Sequence, residues 1–236
     1  MSNQHAIKIF ADGAVLEDVP RLRSLGTISG FTTNPTLMAK AGVTDYEVFS
    51  KRFLDAAHGL PVSLEVFADD VPSMVRQARK LASWGDNVYV KIPVTNTARL
   101  STRDAIVELA KDGIRLNVTA VLTRQQVDEL VPLFARGVPA IVSVFAGRIA
   151  DAGVDPVPTI REAVAHPQRL PDVEILWASC REIFNVVRAA EAGCHIITVP
   201  NDMLKKLDMF GRDLGDISLD TVKMFFDDAR SSGFEL

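Results

Sequence analysis

The chain alternates between short apolar runs and longer segments in which apolar residues recur with helical spacing. Runs continuously rich in valine, isoleucine and phenylalanine are typical of parallel strands that are buried on both faces. In chain order the runs are AIKIFADG, ISGFTTN (28–34), VSLEVF (62–67), NVYVKIP (87–93), RLNVTAV (115–121), AIVSVFAG (140–147), EILWASC (174–180) and HIITVP (195–200). Their order predicts eight strands with helices between them.

The segments between the runs carry signals for helix ends. Thr123 and Gln126 have the spacing of a capping box, and the apolar residues after them predict a helix that continues to Phe134, kinked at Pro132. Ser218 is predicted to be the N-cap of the last helix. Four glycines stand where helices are expected to stop: Gly26, Gly113, Gly137 and Gly193.

Eight strands alternating with helices over 236 residues predict a single (β/α)8 barrel, or TIM barrel, with an extra C-terminal helix. We expect one domain covering residues 1–236, since a hydrophobic content of 47% is enough for a core of that size. A doubly wound open sheet is the alternative. The first run, however, is followed by ADGAVLEDVP and not by the GxGxxG sequence of a dinucleotide-binding turn.

Charge and composition narrow the class of partner. A net charge of −4 and a pI near 5.6 argue against non-specific binding of nucleic acid. No apolar stretch approaches the roughly 20 residues that span a bilayer, and the start MSNQHAIKIF lacks the long apolar region of a signal peptide. We therefore expect a cytoplasmic protein with neither a nucleic-acid nor a membrane partner.

The residues that most often bind metals or form disulfides show no such pattern. Cys180 and Cys194 form neither a CxxC pair nor a disulfide framework, and packing in an apolar environment is the expected role of both. The four histidines have no metal-ligand spacing on one face: His5, His58, His166 and His195. The sequence thus predicts no metal site.

Lys91 is a charged residue in the middle of the apolar run NVYVKIP. Because side chains alternate faces along a strand, apolar residues on either side of Lys91 face the helices and Lys91 faces the barrel interior. The same alternation directs polar side chains inward near the ends of all the strands but the last: Asp12, Thr32, Asn34, Glu65, Asn117, Thr119, Ser143 and Ser179. Unsatisfied buried polar groups cost about 1 to 3 kcal/mol each, so this convergence predicts a ligand site or an active site.

An inward lysine permits two interpretations. It is either a structural lysine, paired with a carboxylate or reaching solvent from the strand end, or an amine kept in a dry pocket, where it can attack a carbonyl. Asp12 and Glu65 are candidate proton carriers for the second interpretation. Arg148 and Arg181 follow the sixth and seventh runs, where guanidinium groups suit a phosphate or a similar anion; surface salt bridges are the alternative for both.

The motifs along almost the whole chain resemble the transaldolase family, including its small subfamily and the fructose 6-phosphate aldolases. The similarity runs through FADGA, GFTTNPTL, VSLEV, VKIP, LNVTAVLTRQQ, SVFAGRIAD, WASCRE and AGCHIITVP. It implies a (β/α)8 class I aldolase fold in which Lys91 forms a Schiff base with the substrate, without a cofactor or metal. Sugar phosphates, or similar anionic ketoses, are the implied small-molecule substrates, and a homo-oligomer is the expected assembly.

The resemblance also implies residue roles. Asp12 would be the acid/base during cleavage of the carbon–carbon bond, while Glu65 and Thr119 would hold and activate the catalytic water. Asn34 and Asn117 would bind sugar hydroxyls or orient the imine. The remaining implied residues would line the substrate and bind its distal anion: Ser143, Phe145, Arg148, Ser179 and Arg181.

Two positions are similar to transaldolases, since Glu65 and Phe145 stand where fructose 6-phosphate aldolases tend to have glutamine and tyrosine. They favour transfer of a dihydroxyacetone unit from a ketose phosphate to an aldose phosphate. A lyase that releases dihydroxyacetone is the alternative enzyme, and a barrel that only binds sugar phosphates is the non-enzymatic alternative. Gly13 and Val144 depart from the threonine and proline that are usual in the family, and these differences bear on the substrate.

Overall fold

The computed structural model describes residues 7–235. Within this range, eight parallel strands form a closed barrel in chain order, and β1 pairs with both β2 and β8. The strands are β1 (Lys8–Asp12), β2 (Ile28–Thr32), β3 (Val62–Glu65), β4 (Val88–Pro93), β5 (Leu116–Val121), β6 (Ala140–Val144), β7 (Val173–Trp177) and β8 (Ile196–Pro200). The predicted (β/α)8 fold is therefore confirmed.

Helices alternate with these strands along the described chain. They are α1 (Asp18–Ser24), α2 (Pro35–Lys40), α3 (Tyr46–Ala57), α4 (Val71–Ala82), α5 (Arg103–Lys111), α6 (Arg124–Leu130), α7 (Ala146–Asp151), α8 (Val157–Ala165), α9 (Asn185–Glu191), α10 (Asn201–Leu204) and α11 (Leu214–Ser231). The extra C-terminal helix is α11. Two 3₁₀ turns, Val131–Leu133 and Lys205–Met209, follow α6 and α10.

The predicted strand runs are longer than the strands. The AIVSVFAG run ends as a strand at Val144, and its last residues already belong to α7. The first residue of the AIKIFADG run, Ala6, and the histidine at position 5 lie outside the described residues. The strand boundaries differ from the predicted ones because the residues just before and just after a barrel strand are as hydrophobic as the strand itself.

Some of the predicted helix signals are confirmed. The Thr123 hydroxyl accepts from the Gln126 N–H, and the Gln126 side chain accepts from the Thr123 N–H, so the capping box is present. The four glycines predicted to end helices all have positive φ, between 69° and 80°. Two other expectations are wrong, and both have a local cause.

The helix after the capping box ends at Leu130 and does not reach Phe134. Pro132 lies in the 3₁₀ turn that follows, because proline has no N–H to donate and its ring blocks a continuing α-helix. The N-cap of α11 is Asp213 and not Ser218. The Asp213 carboxylate accepts from the N–H groups of Gly215 and Asp216, one turn before the predicted start.

The barrel interior has an apolar half that is packed by a cluster of buried side chains: Phe10, Ile141, Leu176, Ala178 and Ile196. Tyr89 and Phe145 pack against this cluster. Gly30 makes room for the Phe10 ring, since a Cβ at position 30 would lie 2.6 Å from a ring carbon. Phe10, Ile141 and Ile196 fill the amino-terminal part of the interior, whereas Ala178 and Phe145 border the cavity at the carboxyl ends of the strands.

The chain divides into two compact units, one ending at Leu204 and one beginning at Lys205, so the expectation of a single domain stays a prediction. The second unit contains a 3₁₀ turn and α11, whose apolar residues are exposed. Among the described residues, no helix has both the length and the apolar character needed to cross a bilayer.

Candidate active site

A cavity opens where the carboxyl ends of the strands meet. All the predicted site residues except Glu65 line it: Asp12, Asn34, Lys91, Asn117, Thr119, Ser143, Phe145, Arg148, Ser179 and Arg181. Glu65 contacts Lys91 directly. The structure therefore brings the whole predicted set to one place, which is the end of the barrel where TIM-barrel enzymes have their active sites.

The Lys91 side chain is almost completely buried, with 7% of the residue exposed. Its Nζ donates to the Thr33 carbonyl at 2.8 Å and lies 3.0 Å from Glu65 Oε2. The two interpretations of this lysine are thus combined, because the amine is paired with a carboxylate and also lines the cavity. Glu65 is itself largely buried, so little water separates the two charges.

Asp12 ends β1 and lines the same cavity. Its Oδ1 accepts from the Thr32 hydroxyl at 2.7 Å. Burial raises the pKa of Asp12 above its ordinary value, while the Lys91 charge and the Thr32 hydrogen bond act in the opposite direction. A carboxyl with a raised pKa exchanges protons more readily near neutral pH, which suits an acid/base role.

Thr198 corrects the expectation that the last strand contributes no inward polar group. This residue of β8 lines the cavity, and its hydroxyl is hydrogen bonded to the Thr32 hydroxyl. Because the single proton of Thr32 is donated to Asp12, the Thr198 hydroxyl must donate to Thr32. The three side chains form a directed chain of hydrogen bonds from β8 through β2 to Asp12.

Asn117 is the centre of a second buried network. Its Nδ2 donates to the Ser63 hydroxyl at 2.9 Å, and its Oδ1 accepts from the Ser143 hydroxyl at 2.7 Å. The bonds join side chains of β3, β5 and β6 inside the barrel and fix the amide orientation. Thr119 differs, since its buried hydroxyl has no partner among the described residues and faces the cavity. Such a hydroxyl is available to a water molecule or a substrate.

The backbone is strained at two places next to the cavity. Ala120 and Ser179 have φ values of 60° and 65°, a left-handed conformation that is unfavourable for residues with a Cβ. Gly147 packs directly against Ser179, because a Cβ on Gly147 would lie 1.6 Å from the Ser179 carbonyl oxygen. The start of α7 thus packs closely against the segment after β7 that brings Ser179 to the cavity.

The two arginines at the cavity have different surroundings. Arg181 Nε is 3.0 Å from Asp151 Oδ1 and Arg181 Nη2 also donates to Asp151, so the salt bridge expected as the alternative is present. The Arg148 guanidinium lies over the Phe145 ring, 6.0 Å from its centroid. Both side chains still line the cavity, although the charge of Arg181 is paired with that of Asp151.

Asn34 and Cys180 have local partners as well. Asn34 Oδ1 accepts from the Leu37 N–H at 2.9 Å and caps α2, while the amide N–H groups of Asn34 have no partner among the described residues. Cys180 is buried, its thiol donates to the Glu182 carbonyl, and burial raises its pKa to about 11. The expected packing role of Cys180 agrees with these contacts.

Sequence reasoning missed the groups that carry no unusual residue type. The Thr33 carbonyl is a backbone group, and Thr198 is hidden in the apolar run HIITVP, where threonine is an ordinary strand residue. Period-two alternation applied to that run would have found Thr198. Within residues 7–235, no group of three or more His, Cys, Asp or Glu residues is arranged to hold a metal ion.

The structure is a TIM barrel with a polar cavity at the carboxyl ends of its strands, where TIM-barrel enzymes have their active sites. The cavity contains a buried lysine amine with carboxyl groups beside it. Residues 9–235 match the family model described as Transaldolase/Fructose-6-phosphate aldolase. The chain belongs to this family.

Relatives with curated names agree with this assignment. The chain is 36% identical to a protein of Thermoanaerobacter sp. named probable transaldolase, over 98% of this chain and 100% of the relative. It is 35% identical to a probable transaldolase of Dehalococcoides mccartyi, over 85% and 90% of the two chains. The similarity therefore covers nearly the full length of these proteins.

Solved structures extend the likeness at the level of the fold. The chain is similar to a dihydrodipicolinate synthase from Rhodopseudomonas palustris, with a TM-score of 0.55 and 17% identity over 84% of this chain and 71% of that one. At such identity the likeness concerns the barrel alone.

Proposed function

We propose that this protein is a transaldolase-type enzyme that transfers a dihydroxyacetone unit from a ketose phosphate to an aldose phosphate through a Schiff base on Lys91. The observation that carries the proposal is the buried Lys91 amine, which lines a polar cavity and lies 3.0 Å from Glu65. An amine shielded from water, with a carboxylate to take its proton, can attack a ketone.

Attack of Lys91 on the ketose carbonyl and loss of water form a protonated imine. Asp12 then removes the proton from the hydroxyl on the fourth carbon, and the bond between the third and fourth carbons breaks. Its electron pair moves toward the imine nitrogen, so an enamine stays on Lys91 and an aldose phosphate leaves. The raised pKa of Asp12 supports this role, because the group must accept a proton and later return it.

The enamine adds to the aldehyde of the acceptor, and Asp12 returns the proton to the new hydroxyl. Water then releases the ketose product from Lys91. Glu65 beside Nζ and the unpartnered Thr119 hydroxyl are suited to hold that water during imine formation and hydrolysis. Metal-free chemistry of this kind needs only these side chains.

The other cavity residues would bind the sugar. Asn117 has a fixed amide and Asn34 has free N–H groups, which suit sugar hydroxyls. Ser143, Phe145 and Ser179 would line the path of the carbon chain. Arg148 and Arg181 would bind the phosphate at the outer end of the cavity, where guanidinium groups form bidentate contacts with oxyanions.

A lyase that releases dihydroxyacetone is the second candidate, because the family includes fructose-6-phosphate aldolases. Both reactions share the enamine on Lys91. In the lyase the enamine carbon takes up a proton and water then hydrolyses the resulting imine, whereas in the transferase the enamine adds to an aldehyde. Assays with and without an aldose phosphate acceptor separate them. Release of free dihydroxyacetone at the same rate without an acceptor would identify the lyase.

The decisive experiment is borohydride reduction in the presence of ketose phosphates, followed by intact-protein mass spectrometry. We expect the wild-type protein to gain one reduced three-carbon or ketose adduct, located at Lys91 by peptide mapping. Lys91→Met should form no adduct, whereas Lys111→Met, at an exposed position that ends α5, should react like the wild type. A wild-type protein that binds sugar phosphates without forming an adduct would be a binding protein.

The expected cytoplasmic location and the homo-oligomeric assembly stay predictions. The exposed apolar residues of α11 support self-association, since exposed apolar surface of this kind is common at protein interfaces. Size-exclusion chromatography with light scattering measures the assembly directly, and a monomer at micromolar concentration would contradict it.

A further inference from the structure

The pairing of β2 with β3 stops one step before the active site. In this parallel ladder the Phe31 N–H donates to the Pro61 carbonyl at 2.8 Å, and the Thr33 N–H donates to the Ser63 carbonyl at 3.2 Å. A regular continuation would bring the Glu65 N–H to the Thr33 carbonyl. That carbonyl instead accepts from Lys91 Nζ at 2.8 Å.

The Tyr46 hydroxyl takes the place of the missing strand partner. It accepts from the Glu65 N–H at 3.0 Å and donates to the Glu65 carbonyl at 3.1 Å. A phenol has one proton to donate and lone pairs to accept, so a single oxygen satisfies both backbone groups of Glu65. Burial raises the pKa of Tyr46, which keeps the phenol protonated and able to donate.

The phenol is held in place by its own surroundings. Tyr46 is the first residue of α3, whose start is fixed by the Asp45 carboxylate accepting from the Val48 N–H at 2.9 Å. Its ring meets Phe67 edge to face, with the centroids 4.4 Å apart, and lies 6.1 Å from the Trp84 ring. These contacts fix the hydroxyl opposite Glu65 without any contribution from β2.

We propose that Tyr46 is a positioning residue for the reaction on Lys91: by binding the backbone of Glu65 it holds that carboxylate beside the amine and leaves the Thr33 carbonyl to Lys91. This inference rests on the proposed function. It assigns Tyr46 an effect through Glu65 and Lys91, without contact between Tyr46 and the substrate.

Tyr46→Phe is the direct test, since it removes the hydroxyl and keeps the ring packed against Phe67 and Trp84. The Glu65 N–H is then free to turn to the Thr33 carbonyl and compete with Lys91. We expect kcat to fall about tenfold, as small misplacements of catalytic groups do, while KM for the ketose phosphate changes less than about twofold.

The chain offers a matched control in its second tyrosine. Tyr89 packs against the apolar cluster, and its side chain borders residues that precede the strands, at the opposite end of the barrel. Tyr89→Phe removes the same hydroxyl and should leave kcat unchanged. To correct for folding yield, kcat is expressed per Lys91 site trapped by borohydride at saturating donor.

A double-mutant cycle with Glu65→Gln separates positioning from general stability. If Tyr46 acts through the Glu65 carboxylate, Tyr46→Phe should lower kcat by less than about twofold in the Glu65→Gln background, because interacting sites are non-additive. The same tenfold loss in both backgrounds would overturn the proposed action of Tyr46 through the Glu65 carboxylate. Amide exchange gives a readout independent of turnover: Tyr46→Phe should speed exchange at Glu65 and not at Phe31, whose N–H is paired to Pro61.

The possible failures are distinguishable. A wild-type protein that forms no borohydride adduct overturns the proposed function, and with it this role of Tyr46. A wild-type adduct together with wild-type kcat and wild-type Glu65 exchange in Tyr46→Phe overturns the inference on Tyr46 alone.

Discussion

The two ends of the barrel interior are built from the same strands and have opposite chemistry. β1 contributes Phe10 to the amino-terminal half and Asp12 to the carboxyl-terminal half, and β4 contributes Tyr89 and then Lys91. β6 and β8 repeat the change with the pairs Ile141/Ser143 and Ile196/Thr198. One inward step along each of these four strands therefore separates the packed core from the candidate active site.

Along the barrel axis, the apolar half therefore contributes stability and the polar half contributes the reactive groups. The apolar half gains free energy from burial of its side chains. The polar half buries groups that cost free energy, and it offsets part of that cost through the hydrogen bonds of Asn117, Thr32 and Lys91. Two groups are not fully compensated: the Asp12 carboxyl, whose pKa is raised by burial, and the Thr119 hydroxyl, which has no hydrogen-bond partner among the described residues. A substrate could interact with both groups.

The largest expected effect is the loss of turnover in Lys91→Met. Without the amine no imine forms, so we expect the transfer rate to fall by at least about a thousandfold. Steady-state assays with a ketose phosphate donor and an aldose phosphate acceptor measure it, with Lys111→Met as the control. Turnover in Lys91→Met within tenfold of the wild type would assign the chemistry to another group.

Phe10→Ala tests the apolar half. Truncation of a buried phenylalanine typically costs about 3 to 5 kcal/mol, and the Phe10 ring packs closely over Gly30. Urea unfolding should show this loss in the free energy of unfolding, while kcat of the folded fraction stays within about tenfold of the wild type. An unchanged free energy of unfolding would show that the apolar cluster is not the stabilising half.

Asp12→Asn should raise the stability of the protein, whereas Phe10→Ala should lower it. Burial raises the Asp12 pKa in the folded state above its ordinary value of 3.8, so the folded protein binds the proton more tightly than the unfolded chain does. The contribution of Asp12 to stability is therefore fully present below pH 3.8 and is lost as the pH rises through the raised folded-state pKa. At neutral pH the asparagine variant should therefore have a higher Tm than the wild type and little activity.

A second carboxylate, Asp69, leads to the opposite prediction: its replacement by asparagine should lower Tm. The exposed Asp69 accepts from the Thr97 N–H at 2.8 Å, and hydrogen bonds from Thr97 lower its pKa. Its contribution to stability is present at neutral pH and is lost as the pH falls through the lowered pKa. Asp69→Asn should thus lower Tm slightly at neutral pH. Thermal unfolding of both variants across a pH series tests the pair, and equal signs would contradict it.

The smallest effect concerns the cysteine thiols. Burial raises the pKa of Cys180 to about 11 and that of Cys194 to about 12, so almost no thiolate is present at mildly alkaline pH. Iodoacetamide should modify both residues far more slowly in the folded protein than in urea, as measured by peptide mass spectrometry. Rapid modification of native Cys180 would show that the cavity holds a reactive thiol.

Much of the fold and of the candidate site could be predicted from the sequence. The eight apolar runs indicate the barrel, because strand and helix periods are local properties of the chain. Alternation along those runs places Asp12, Lys91 and Asn117 on the inner face. The end of α6 and the start of α11 were misplaced, because the actual boundaries depend on the local chemistry of Pro132 and of the Asp213 cap.

The sequence by itself thus determined which strands form and that Asp12, Lys91 and Asn117 face the barrel interior, since these follow from patterning within single elements. Only the tertiary structure decided three contacts. The Thr33 carbonyl accepts from Lys91, the Tyr46 hydroxyl and not Thr33 binds the Glu65 backbone, and Gly147 packs against Ser179. Those contacts join backbone groups of elements distant in the chain. Backbone atoms are the same in every residue, so only their positions in the folded barrel reveal such partners.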